Sequence, residues 1–141
     1  MKYYVVIDTN VLSSAILNWD SVPGNILELT FRGTIVPLLN DKVIKEYREV
    51  LSRPKFHLTQ DIVEGIVGEL ERLGQFIDAE ELDVYFMDAN DRMFYEIAVE
   101  ERKSRDTYLV TSNIRHFRQL PFVVTPRQML DIIIRNIEGI K

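Results

Sequence analysis

Apolar positions in this chain follow two rhythms, and the alternation between them outlines the fold. Short unbroken runs, too short for helices, read as strands buried on both faces. They are Tyr3–Ile7, Thr34–Leu39 (with Pro37 as a blemish), Thr107–Thr111 and Phe122–Val124, with Phe76-Ile77 as a shorter piece. Val, Ile and Tyr dominate them, and these side chains suit a pleated strand. Between the runs, apolar residues recur at helical spacing. Ile26, Leu27, Thr30 and Phe31 form one stripe, and Val43, Ile44, Tyr47, Val50 and Leu51 another. A third comprises Ile62, Val63, Ile66, Val67, Leu70 and Leu73, a fourth Phe94, Ile97 and Ala98, and a fifth Met129, Leu130, Ile133, Ile134 and Ile137.

Punctuation supports these boundaries. Asn10 to Leu17 reads as a helix. Ser21, Asn40 or Asp41, Thr59, and Asn90 or Asp88 stand where N-caps belong, Pro23 falls in a first turn, and Gly33 and Gly74 follow last turns. Thr125 and Gln128 have the spacing of a reciprocal cap. Gly65 and Gly68 lie off their stripe, and the acidic run Asp78, Glu80, Glu81 and Asp83 reads as a solvated loop. Strand and helix alternate throughout, so the fold class is α/β with a mainly parallel sheet under helices. Tyr3–Ile7, Ile35–Leu38, Tyr108–Thr111 and Phe122–Val124 are expected to be parallel neighbours.

Composition narrows the class. The chain has 141 residues, 46% hydrophobic and 28% charged, enough for one ordinary domain with a real core. No apolar run is long enough to span a membrane, and Asp8 and Asn10 interrupt the only candidate for a signal sequence. The absence of cysteine rules out disulfides and thiolate metal sites and fits a cytoplasmic location. A net charge of −5 argues against wholesale coating of nucleic acid, while leaving room for a basic rim around an acidic cleft.

The candidate chemistry lies at the strand ends. Asp8 closes the first strand, where open α/β sheets bind ligands, and Thr9 and Asn10 beside it can hydrogen-bond a carboxylate. A strand end followed by a helix cap explains the same residues without chemistry. Glu46 lies about 60° from Val43 around its helix, at the edge of the buried stripe. Asp91 begins the fourth stripe, where the helix dipole alone would favour an acid. Gathered together, three carboxylates repel one another unless a cation intervenes. A hard divalent ion such as Mg²⁺ fits oxygen ligands of this kind and can activate water for phosphodiester hydrolysis. Zinc is disfavoured by two histidines and no cysteine. Arg92, Arg115, His116 and Arg118 are basic residues able to hold a phosphate-bearing strand near such a cleft. Ile132 and Ile140 add apolar surface beyond one helical stripe, which suits a contact between copies as well as the core.

Several segments, taken in order, resemble the PIN-domain family of the VapC-like toxin type. They are Val6 to Leu12, Ile44 to Phe56, Asp88 to Ala98, Leu109 to Asn113, His116-Phe117 and Thr125 to Leu130. The resemblance implies one PIN-like domain over residues 1–141, a parallel sheet sandwiched by helices, and a Mg²⁺ or Mn²⁺ site. It also implies a single-strand endoribonuclease, the toxin of a toxin–antitoxin pair, acting as a homodimer with an antitoxin partner. Asp8, Glu46 and Asp91 match the family's acidic positions, and Asn113 completes the metal set. Thr9 and Asn10 would support the first acid, and Thr111 and Ser112 would line the opposite wall. Two positions depart from the pattern: Asn113 stands where many relatives have aspartate, and Arg92 where many have a second acid. The lost charge implies weaker metal binding, and a catalytically weak or inactive RNA-binding domain is the alternative. Receiver and aspartyl-phosphate hydrolase domains also end their first strand on aspartate, but the latter want a second aspartate where this chain has Asn10.

Overall fold

The structure, a computed structural model, describes residues 1–86, 88–117 and 120–139. Five strands, β1 (Tyr3–Ile7), β2 (Ile35–Leu39), β3 (Gln75–Phe76), β4 (Thr107–Val110) and β5 (Val123–Val124), form one sheet in the order β3-β2-β1-β4-β5. Every pairing is parallel. The four long apolar runs are therefore neighbours as expected. All of β2 and four of the five residues of β1 are buried, so both faces of the central strands are covered. Pro37 is tolerated because β3 reaches only Leu38 and Leu39, which leaves Pro37 with β1 as its single partner strand.

The helices are α1 (Thr9–Leu17), α2 (Val22–Phe31), α3 (Asp41–Leu51), α4 (Gln60–Leu73), α5 (Asp91–Arg102) and α6 (Pro126–Gly139). Four of their starts are fixed by side-chain caps, while α1 and α5 begin without one, so Asn90 holds the N-cap position of α5 without the expected hydrogen bond. Ser21 accepts from the Gly24 N–H, Asn40 (rather than Asp41) from Val43, and Thr59 from Ile62. Thr125 and Gln128 cap each other in both directions, at 2.9 and 3.1 Å. Gly74 must be glycine, since a Cβ there would stand 2.5 Å from the Pro37 carbonyl oxygen.

Two stripes run further than the core does. Met129, Leu130 and Ile133 of α6 are buried, but Ile134 and Ile137 are 48% and 58% exposed, contrary to the periodicity. The stripe is wider than the face that packs, since Asn136 later in the helix still reaches Tyr3 of β1. Ile62, in the first turn of α4, is also exposed, while Val63, Val67 and Leu70 are buried. Ile132 is partly buried against the core, while Ile140 lies outside the described residues.

Chain order matters for the site. After β1 the chain builds β2 and β3 on one side, then crosses to build β4 and β5 on the other. The strand order thus reverses between β1 and β4. At such a switch point the loops leaving two neighbouring strands diverge and open a crevice at their carboxyl ends.

Candidate active site

Asp8 and Thr111, the residues that follow β1 and β4, stand side by side at that crevice. The Asp8 N–H donates to the Val110 carbonyl at 3.0 Å, and the Thr111 hydroxyl donates to the Asp8 carboxylate at 2.7 Å. Asp8 holds the N-cap position of α1, yet its carboxylate makes no capping hydrogen bond. The cap explanation of this residue is therefore incomplete: its side chain turns across to β4. Asn10 accepts from the Ser112 N–H at 3.3 Å, and the Asn113 N–H donates to the Thr111 hydroxyl at 3.0 Å, which ties the loop after β4 to the start of α1.

Glu46 is brought in by α3. The neighbouring residue Tyr47 is wholly buried and its hydroxyl donates to the carbonyl of Ile7, the last residue of β1. This bond fixes the helix against the strand end, and on its open side Glu46 accepts from the Thr9 hydroxyl. Asp91 opens α5 after a tight turn in which Asp88 accepts from the Asn90 N–H. His116 Nδ1 lies 3.3 Å from its carboxylate.

Asp8, Glu46, Asp91 and Asn113 line a single cleft of about 300 Å³, together with Thr9, Asn10 and His116. Asp88, Asn90, Ser13 and Arg53 line it too. Sequence reasoning had read Asp88 and Asn90 only as cap candidates and had not singled out Ser13 or Arg53 as site residues. Glu46 and Val50 fall four residues apart on one face of α3, but Arg53 lies past its end in extended backbone, so no helical spacing marked it. Three basic residues fare differently. Arg92 is absent from the cleft lining and turns toward Glu96, with Nε 3.8 Å from its carboxylate. Arg115 lines an adjoining pocket with Ser112, Asn113 and His116. Arg118 lies outside the described residues.

The electrostatics of the cleft are uncomfortable for anions. Burial raises the Asp8 pKa from 3.8 to about 6, and the Asp91 charge adds to this. The Thr111 hydroxyl opposes the rise, as do the Asn10 and Thr9 N–H groups, although neither N–H reaches capping geometry. Glu46 is raised by burial and by the charges of Asp8, Asp88 and Glu49, against the Thr9 hydrogen bond. Asp91 is raised by burial, Asp88 and Glu46, against His116. Among the described residues no three carboxylate or imidazole groups stand close enough to ligate one ion directly. The donor set itself, hard oxygens with an excess of negative charge, suits an ion that keeps part of its water shell.

A family model described as PIN domain matches residues 4–115. The chain belongs to the PIN-domain family. PIN domains are nucleases, so the acidic cleft belongs to a hydrolase family at that coarse level. Among solved structures, this PIN domain is similar to a chain in the crystal structure of VapBC2 from Rickettsia felis bound to a DNA fragment from their promoter. The TM-score is 0.58 at 19% identity, covering 86% of this chain and 96% of that one, a likeness of fold. It is also 46% identical over 46 residues to an uncharacterized protein, MJ1680, of Methanocaldococcus jannaschii. That match spans 33% of this chain and 30% of the relative's length. No helix among the described residues is long and apolar enough to cross a membrane.

Proposed function

We propose that this PIN domain is a divalent-metal-dependent endoribonuclease that hydrolyses phosphodiester bonds of single-stranded RNA, and that it is the toxin of a toxin–antitoxin pair. The reading rests on one observation: Asp8, Glu46 and Asp91, far apart in sequence, line one cleft at the switch point of a PIN-family sheet. All three have raised pKa values, so a cation placed among them would relieve burial and mutual repulsion together. Asp8, Glu46, Asp91 and Asn113 would hold Mg²⁺ or Mn²⁺ through oxygen, in part through water. Divalent-ion chemistry supplies an acidified water and an offset to phosphate charge. Around it, Thr9 and Asn10 support the first acid, Thr111 and Ser112 line the opposite wall, and Arg115 and His116 meet substrate phosphate. The toxin assignment draws on the Rickettsia felis neighbour, itself a VapBC2 structure, and carries an antitoxin partner with it. A homodimer is part of the same reading, with the exposed Ile134 and Ile137 as its apolar surface.

Purified protein should cleave single-stranded RNA internally with Mg²⁺ or Mn²⁺, and EDTA should stop it. Asp8→Asn should lower cleavage by at least about 10²-fold, the scale of a lost charge-stabilising group, while the fold persists. Parent-like cleavage by Asp8→Asn at saturating Mn²⁺ rejects the site. A second reading, a weak or inactive RNA-binding domain, is favoured by the uncharged Asn113 and by the protein partner each acid already has. RNA binding without metal, and no cleavage with it, would select that reading.

A further inference from the structure

The acidic cleft is one segment of a longer groove. A pocket of about 400 Å³, lined by Lys42, Lys45, Glu49 and Met93 of α3 and α5, shares Glu46, Val50, Arg53 and Asn90 with it. On the other side a pocket of about 210 Å³ with Arg115 shares Asn113 and His116. That pocket in turn shares Ser112 and Thr125 with a shallow site of about 290 Å³ formed by Val22, Pro23, Pro126 and Arg127. The order along the groove is basic, acidic, basic.

Its cations are unusual in this molecule. Lys45, Arg53, Arg115 and Arg127 take no ion pair, side-chain hydrogen bond or ring contact among the described residues. Every other Lys and Arg in those residues except Lys2 has one, for example Arg102 on the Thr107 carbonyl, Arg135 on the Asp131 carbonyl and Lys55 over the Phe56 ring. Arg127 also sits in the first turn of α6, where the helix dipole disfavours positive charge. Burial, capping and packing explain none of the four. Phosphates spaced along a strand would satisfy all of them, and the apolar floor of Val22, Pro23 and Pro126 beside Arg127 offers a base a surface to lie on.

We infer that this groove is the track of a single-stranded RNA, which passes over Lys45 and Arg53, crosses the acids, and leaves over Arg115 and Arg127. The inference rests on the ribonuclease reading for the identity of the strand, and of the four basic residues the sequence suggested (Arg92, Arg115, His116 and Arg118) it keeps Arg115, omits Arg92 and adds Lys45, Arg53 and Arg127. A strand held on both sides of the acids is cut internally, and short fragments that reach one flank bind poorly.

The test measures binding in EDTA, where no bond is broken, by fluorescence anisotropy of a labelled single-stranded RNA of about 16 nucleotides, the upper end of single-strand site sizes. Lys45→Glu with Arg53→Glu should weaken binding by about tenfold or more, and Arg127→Glu by about threefold or more. Each lost phosphate contact should lower the salt dependence by roughly 0.7. Lys2→Glu should bind as the parent does. Alanine at the same positions gives a milder series if a reversal perturbs folding. Binding that resists these substitutions, absent binding by the parent, or equal affinity for duplex RNA overturns the track, even if the protein cleaves RNA with Mn²⁺. Binding lost with these cations while the parent never cleaves keeps the track and rejects the ribonuclease reading.

Discussion

Two groups of buried carboxylates invite comparison. Asp8 and Asp91 in the cleft are 5% and 9% exposed, and Glu96 and Glu101 on α5 are 6% and 9% exposed. Burial is the same, but the surroundings differ. Glu96 accepts from the Leu82 N–H at 2.6 Å with Arg92 nearby, and Arg105 Nε lies 3.3 Å from Glu101, as an ion pair without hydrogen-bond alignment. The cleft acids are answered mainly by hydroxyls and one imidazole, and they face one another. Buried charge with a local partner is architecture, and Glu96 pins the acidic 78–83 loop onto α5. Buried charge with no guanidinium beside it, and with like charges facing it, is a standing demand for a cation from outside.

If this contrast holds, neutralising an acid should have opposite consequences in the two groups. The largest effect belongs to Asp8. Its pKa is raised in the folded state, so the stability it contributes is full below about pH 4 and is lost as pH rises through about 6. A pKa moved from 3.8 to about 6 corresponds to roughly 3 kcal/mol of penalty above both values. In metal-free buffer at pH 7.5, Asp8→Asn should therefore stabilise the protein by roughly 1–3 kcal/mol, and the gain should vanish at pH 4. Thermal melts at the two pH values measure this. A destabilised variant at pH 7.5 would erase the distinction.

Glu96→Ala should do the reverse, at a cost of about 2 kcal/mol, because the Leu82 N–H loses a charged acceptor. Denaturant unfolding gives the number, and faster amide exchange along 78–86 should accompany it. A neutral result would show that the loop holds without its anchor. The smallest effect is expected for Thr111→Val, which removes the hydroxyl that serves both Asp8 and the Asn113 N–H. It should cost roughly 1 kcal/mol at pH 7.5 and less at pH 4, where Asp8 is protonated. An equal loss at both pH values would assign that hydroxyl to the loop backbone rather than to the carboxylate.

Much of this was legible in the order of residues. The strand runs and caps are local signals, and β1, β2, β4 and β5 lie where unbroken β-branched runs put them. Two of the acids stand out because they interrupt a pattern, Asp8 ending a strand and Glu46 flanking a stripe, whereas Asp91 stands where a helix start favours an acid in any case. What escaped depended on distance. Ile134 and Ile137 keep a perfect rhythm, but periodicity cannot say how much of a stripe finds a partner. Arg92 follows an acid in sequence, yet on a helix neighbouring residues point about 100° apart, and its guanidinium meets Glu96 instead of the cleft. Arg53 follows the end of α3, outside its helical pattern, and joins the cleft only in three dimensions.

The sheet's two borders have a consequence for life in a crowded solution. β3 and β5 are each two residues long, so either flank presents only a few open backbone groups in register. Long, flat borders recruit strands from other molecules and seed aggregates. Here β1 is flanked by strands on both sides, while β2, open on its outer side at residues 35–37, is buried there and carries a proline, so a passing chain finds a poor template to extend. The arrangement favours staying dispersed at high concentration, independently of anything that happens in the cleft.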